Sequence, residues 1–157
     1  MEENKKKVRL SQMLPLIEEK LSSGGEISIP VTGVSMNPTL KAGRDYVVLE
    51  KAPDKLKKYD IPLCRRDDGS FVLHRVVGED ENGYILLGDN QKDKEYGIRH
   101  DMIVGLTVAV ERDGKRIPVK SLRYKPNGVF RDEIYYMRKA KYRVKKTIWK
   151  IVNGKKD

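Results

Sequence analysis

The sequence predicts a mainly β protein, with a barrel-like or sandwich core, one short helix ahead of it and a basic amphipathic helix behind it. Three observations carry this. Apolar residues recur at helical spacing only near the two ends of the 157-residue chain. Between about residues 26 and 120, short β-branched runs alternate with turns. Three of those turns, Asp68-Gly69, Asn82-Gly83 and Asp113-Gly114, carry the glycine that a tight hairpin wants. The organisation read from this is an N-terminal helix in residues 1–24, a β core in 25–120 and a basic helical tail in 121–157.

Taken in order, "LSQMLPLIEEKL" places Leu10, Met13, Leu14, Ile17 and Leu21 on one helical stripe, suited to packing on the main body. Pro15 is expected to start or kink this helix, and "SSGG" to end it. The strand-like runs follow: "ISIPV", "DYVVLEK", "DIPLCRR", "FVLHRVVGE" as a single strand, "YILLGDN", "MIVGLTVAVER" and the closing "DGKRIPV". In the tail, Phe130, Ile134, Met137, Val144 and Ile148 fall near one helical face and Lys and Arg on the others. Such a helix either docks its apolar stripe on the core or lies on an anionic membrane surface, through residues 129–152, with Trp149 at headgroup level.

Composition narrows the function classes. The formal net charge is +10, which favours acidic partners, and much of the excess lies after residue 130. The single cysteine, Cys64, allows no internal disulfide and suits a reducing compartment. No run reaches the roughly 20 apolar residues of a membrane span, and the charged N-terminus lacks the apolar block of a signal peptide. The expectation is a cytoplasmic protein, peripheral at the inner membrane face if the tail binds lipid, with nucleic acid a weaker prospect. One Cys and two His do not make a usual zinc site, so neither metal nor cofactor is expected.

Ser35 sits in the turn "VTGVSMNPTL", immediately after a strand. It is either an ordinary loop hydroxyl or a nucleophile on a rigid bend, and a serine nucleophile needs a base. His74, in "FVLHRVV", alternates onto a face with Val72 and Val76; it is either a half-buried structural residue or that base. His100 reads as surface. "LLGDN" places Asp89 after a strand, where it either closes a plain turn or orients a histidine ring.

"GVSMNPTL", "VLHRVV" and "GDN", in this order and with His74 39 residues after Ser35, resemble the signal peptidase I and LexA-like serine peptidase superfamily. The resemblance covers roughly residues 26–110 and is nearest to the Ser–His branch, typical of the endoplasmic reticulum and archaea. It implies a coiled β-barrel peptidase core and an endopeptidase that cleaves a peptide or precursor protein. Ser35 would be the nucleophile and His74 the base, with Asp89 as the orienting acid and Asp93 or Glu95 as alternatives. Oxyanion donors would be the N–H of Ser35 and, second, Thr32, because Gly33 stands where bacterial signal peptidases carry a serine. The family's Gly-Asp turn appears as Gly43-Arg44-Asp45, and its Asp-Ile pair as Asp60-Ile61. Two departures bear on the substrate: neither an apolar anchor nor a helix-turn-helix domain is expected from these residues. The rival reading is a catalytically silent peptidase fold that binds anionic lipid or nucleic acid through its tail.

Overall fold

A computed structural model describes residues 9–120, 143–149, 151 and 153. The expected tail helix therefore lies largely outside the described residues; 143–149, 151 and 153 are helical. No helix among the described residues is long and apolar enough to cross a membrane.

Helix α1 spans Leu10–Ser22. Leu14, Ile17 and Leu21 are buried, and Leu10 and Met13 pack beside them, as the stripe requires. The helix begins ahead of Pro15 and continues through it, so the proline does not mark its start. "SSGG" does end it: the Gly25 N–H donates to Lys20 O and the Gly24 N–H to Leu21 O, the paired bonds that satisfy the last carbonyls of a helix.

Among the described residues nine strands follow: β1 (Ile27–Pro30), β2 (Asp45–Glu50), β3 (Pro62–Arg65), β4 (Phe71–Leu73), β5 (Arg75–Asp80), β6 (Gly83–Leu87), β7 (Glu95–Ile98), β8 (Ile103–Arg112) and β9 (Lys115–Pro118). The larger sheet, curled into a half barrel, runs β1-β2-β8-β3-β4, with β9 also on β8. The ten residues of β8 make this possible: Leu106–Arg112 pair with β2, Ile103–Leu106 with β3 and Ala109–Arg112 with β9. A second sheet is the antiparallel meander β5-β6-β7.

The run "FVLHRVVGE", expected as one strand, is two. β4 ends at Leu73 in the larger sheet and β5 begins at Arg75 in the smaller, so His74 occupies the crossing. The physical reason is that the chain serves two cores. One gathers α1, β1, β2 and β8 around Ile17, Leu40, Val47 and Val110. The other gathers Cys64, Val72, Val76, Tyr84 and Leu86. Alternation then sends Leu63 to the first core and Cys64 to the second, and "PLC" is buried on both faces. The strand β7 lies in "EYGI", which has too few apolar residues to announce a strand on its own.

Candidate active site

Ser35 lies in the turn-rich loop between β1 and β2. Gly33 has φ +74°, a left-handed conformation that side-chain-bearing residues adopt rarely, and it sets the bend two residues before the serine. Met36 and Leu40 on the same loop are buried in the first core, which anchors the bend from below. The loop closes on itself where the Val31 N–H donates to Asp45 O at 2.9 Å. Asp45, buried at the start of β2, takes bonds from Arg44, from Arg112 and from the Lys41 N–H, while Arg112 also donates to Thr39 O. Burial alone would raise the Asp45 carboxyl; the bonds from Arg44, Arg112 and Lys41 outweigh it and hold the group well below the usual carboxylate range.

The "GDN" turn packs directly on this loop. The Asn90 N–H donates to Ser35 O at 2.7 Å, and the Asn90 side-chain amide donates to Val34 O at 3.3 Å. A Cβ on Gly88 would lie 2.8 Å from Ser35 O, closer than real contacts allow, so only glycine lets the two turns meet. Gly88→Ala is therefore expected to push the serine loop away and to cost about 1–3 kcal/mol of stability. A urea titration, with Ser35-loop amide exchange read in parallel, checks both effects; unchanged exchange would mean the contact does not hold the loop.

Asp89, the acid expected to orient His74, is engaged otherwise. Arg75 Nε donates to its Oδ1 at 3.0 Å and Arg75 Nη2 to its Oδ2 at 3.1 Å, with both side chains buried. Arg75 Nη1 donates to Tyr59 O at 3.1 Å, so one guanidinium ties the residue after His74 to two neighbouring turns. The signal for this was present: a charged residue, Arg75, on a strand face shared with Phe71, Leu73 and Val77 needs a buried partner.

The carboxylate beside His74 is Glu95. His74 is 4% exposed, and its Nδ1 has no hydrogen-bond partner; Glu95 Oε2 lies 3.6 Å from it. The meander brings the two together, because Arg75 faces Leu87 across β5–β6 and Leu86 faces Glu95 across β6–β7. Glu95 is in turn gripped by Arg66, whose Nη2 donates to Oε2 at 2.8 Å and whose Nε donates to Oε1. Arg66 also reaches Ser70 Oγ at 3.3 Å. Nothing in "LCRRDDGS" marked Arg66, since its partner is 29 residues away. Asp93, the other alternative, is exposed. So is His100, in a 3₁₀ turn.

Charge follows from this geometry. Burial pushes the His74 imidazole below its ordinary value; the Glu95 charge pulls it up and the Arg66 charge pushes it down again. The bond from Arg66 holds Glu95 below the usual carboxylate range, against its burial. Cys64, on the neighbouring strand, is no rival nucleophile at neutral pH: burial pushes its thiol up to about 12, and the Glu95 charge adds to this.

Ser35 and His74 line one cleft of about 270 Å³, together with Thr32, Arg66 and Gln91. Among the described residues no hydrogen bond joins Ser35 to His74. The rest of the lining is largely apolar and comes from two places: Ile29, Pro30 and Val31 at the end of β1, and Phe71, Val72 and Leu73 in β4. Among the described residues, β1 and β4 are the end strands of the β1-β2-β8-β3-β4 path, and both line the cleft. Among the described residues, no group of three or more His, Cys, Asp or Glu side chains is placed to hold a metal ion.

The arrangement is thus a loop serine, a buried imidazole, a carboxylate behind it and, among the described residues, two sheet edges beside a cleft lined mainly by apolar residues. Comparison with family profiles, with curated proteins and with solved structures finds no match to this chain.

Proposed function

We propose that this chain is a serine endopeptidase of the signal-peptidase type, with a core of that family's coiled β fold. The observation that carries the reading is the shared cleft: Ser35 and His74 line it together, and Glu95 stands behind the imidazole. Ser35 Oγ attacks the carbonyl carbon of the scissile peptide bond while His74 takes the hydroxyl proton. His74 returns a proton to the departing amine, leaving an ester on Ser35. A water, deprotonated by the same imidazole, then hydrolyses the ester and frees the new carboxylate.

Glu95, rather than Asp89, is the orienting acid in this reading. Asp89 already satisfies Arg75, whereas Glu95 needs to move only a few tenths of an ångström to accept the Nδ1 proton. Asp89 then acts indirectly, by fixing the start of β5, the strand that follows His74. The Ser35 N–H is the first oxyanion donor and Thr32 the second. The substrate is an extended peptide segment of a precursor protein. It would pair with the free edges of β1 and β4 and set apolar side chains into the cleft, the usual way an open sheet edge receives a strand.

A peptide-boronate or β-lactam-type acylating probe, followed by mass spectrometry of the labelled chain, tests this. The expected result is an adduct on Ser35, no adduct in Ser35→Ala, and labelling by an acylating probe slowed on the order of 10²–10⁴-fold in His74→Ala. Labelling of Ser35 at equal rates with and without His74 would remove the base from the mechanism. A folded protein that no probe labels at Ser35 would favour the catalytically silent binding module.

A further inference from the structure

The C-terminal helical segment carries a surface that the cleft chemistry leaves unused. Val144, Ile148 and Ile151 follow one another at the spacing of a single helical stripe and are 58%, 54% and 60% exposed. Trp149, 65% exposed, lies about 100° round the helix from Ile148, on the flank that carries Lys145. Isolated exposed apolar residues are ordinary; three on one stripe within eight residues, with a tryptophan on the flank, are not.

The charges around the stripe specify the partner. At roughly 100° per residue, Arg143 and Lys145 flank Val144 on its two sides, and Lys146 lies opposite. All three are exposed. Between Glu133 and Asp157 the sequence has no acidic residue. A nucleic acid would meet the cations but leave the valine, isoleucines and tryptophan in water. An apolar protein groove would bury the stripe but gain nothing from the flanking charges. A bilayer surface with anionic headgroups satisfies both at once: the stripe enters the acyl boundary, the tryptophan sits at headgroup level, and Arg143 and Lys145 reach phosphates on either side.

We infer that the helical residues 143–149 and 151 form a peripheral membrane anchor that lays the protein on an anionic lipid surface. This stands independently of the peptidase reading, because it uses no residue of the cleft.

Trp149 is the only tryptophan in the chain, so its emission reports this helix alone. The full-length protein is mixed with vesicles of phosphatidylcholine, or of phosphatidylcholine with phosphatidylglycerol, and followed by co-sedimentation and by Trp149 fluorescence. The expected result is co-sedimentation and a blue shift with the anionic vesicles and neither with the neutral ones. Ile148→Asp should abolish the blue shift. Arg143→Glu combined with Lys145→Glu should weaken anionic-vesicle binding by more than about tenfold, since each basic residue near such a surface contributes about fivefold. The thermal unfolding of the β core serves as the folding control for both variants. Three results would overturn the inference: a tryptophan already blue-shifted without vesicles, which means the stripe is covered by protein; sedimentation with no spectral shift; or retention on DNA that survives in vesicle-binding-deficient Ile148→Asp.

Discussion

Asp89→Ala lowers the free energy of unfolding by about 3–5 kcal/mol, because it leaves the Arg75 guanidinium buried without a counter-charge. The two side chains are 2% and 1% exposed, and Arg75 donates two hydrogen bonds to Asp89, so truncation leaves both donors unpaired away from solvent. A domain of this size has about 5–15 kcal/mol in total, so a urea titration should show a large fall in midpoint at unchanged slope. The same loss would look like lost catalysis in any activity assay, which is why the stability measurement has to come first. Replacing the pair together, Arg75→Met with Asp89→Leu, should recover much of the deficit, since a buried ion pair is often no better than well-packed apolar groups. A single-variant loss below about 1 kcal/mol would mean the pair behaves as an exposed one and does not brace the strand after His74.

The second large effect is on the proton affinity of His74, and its sign separates two neighbours. The base must be neutral to accept a proton from Ser35. Burial, the dominant influence, lowers the imidazole below its ordinary value of about 6.5, and Arg66 lowers it further, while Glu95 raises it. The acid limb of any Ser35-dependent activity should therefore lie below about pH 6.5, with a plateau across neutral pH. Glu95→Gln removes a raising influence, so the limb moves to lower pH. The rate should fall on the order of 10²-fold or more as the ring loses its orienting carboxylate. Arg66→Gln removes a lowering influence and frees Glu95 to engage Nδ1, so the limb moves to higher pH. NMR titration of the imidazole resonances measures both shifts without a substrate. The chain has two histidines, and a His100→Gln variant assigns the remaining signal to His74. Shifts of the same sign in the two variants would contradict the Arg66–Glu95–His74 arrangement.

Much of the scaffold could be read directly from residue patterns. Leu14, Ile17 and Leu21 mark the buried face of α1, and Asp68-Gly69 and Asp113-Gly114 close the hairpins β3–β4 and β8–β9. These are local signals: a periodicity or a turn dipeptide acts within a few residues, and the chain reports it in order. The split of "FVLHRVVGE" was not legible in the same way. All its apolar residues alternate correctly, and only the presence of two cores makes the chain change sheets at His74. Pro15 does not mark the start of α1: the helix begins at Leu10 and carries its buried stripe past the proline, because the stripe packs on the core.

For the candidate site, Ser35, His74 and the "GDN" turn were singled out by residue type and by resemblance, and the folded chain sets them on adjoining loops and strands. What each does depended on partners far away in sequence. Asp89 was the nearest acid by motif, yet its bond is to Arg75; Glu95 reaches His74 only because β6 and β7 lie beside β5. Arg66 has no sequence signature at all. By itself, then, the sequence determined most of the strands and turns, the helix stripe and the identity of a serine and a histidine worth testing. The tertiary structure alone decided which charges pair, because Coulomb attraction and burial act through space, across strand registers that no local pattern encodes.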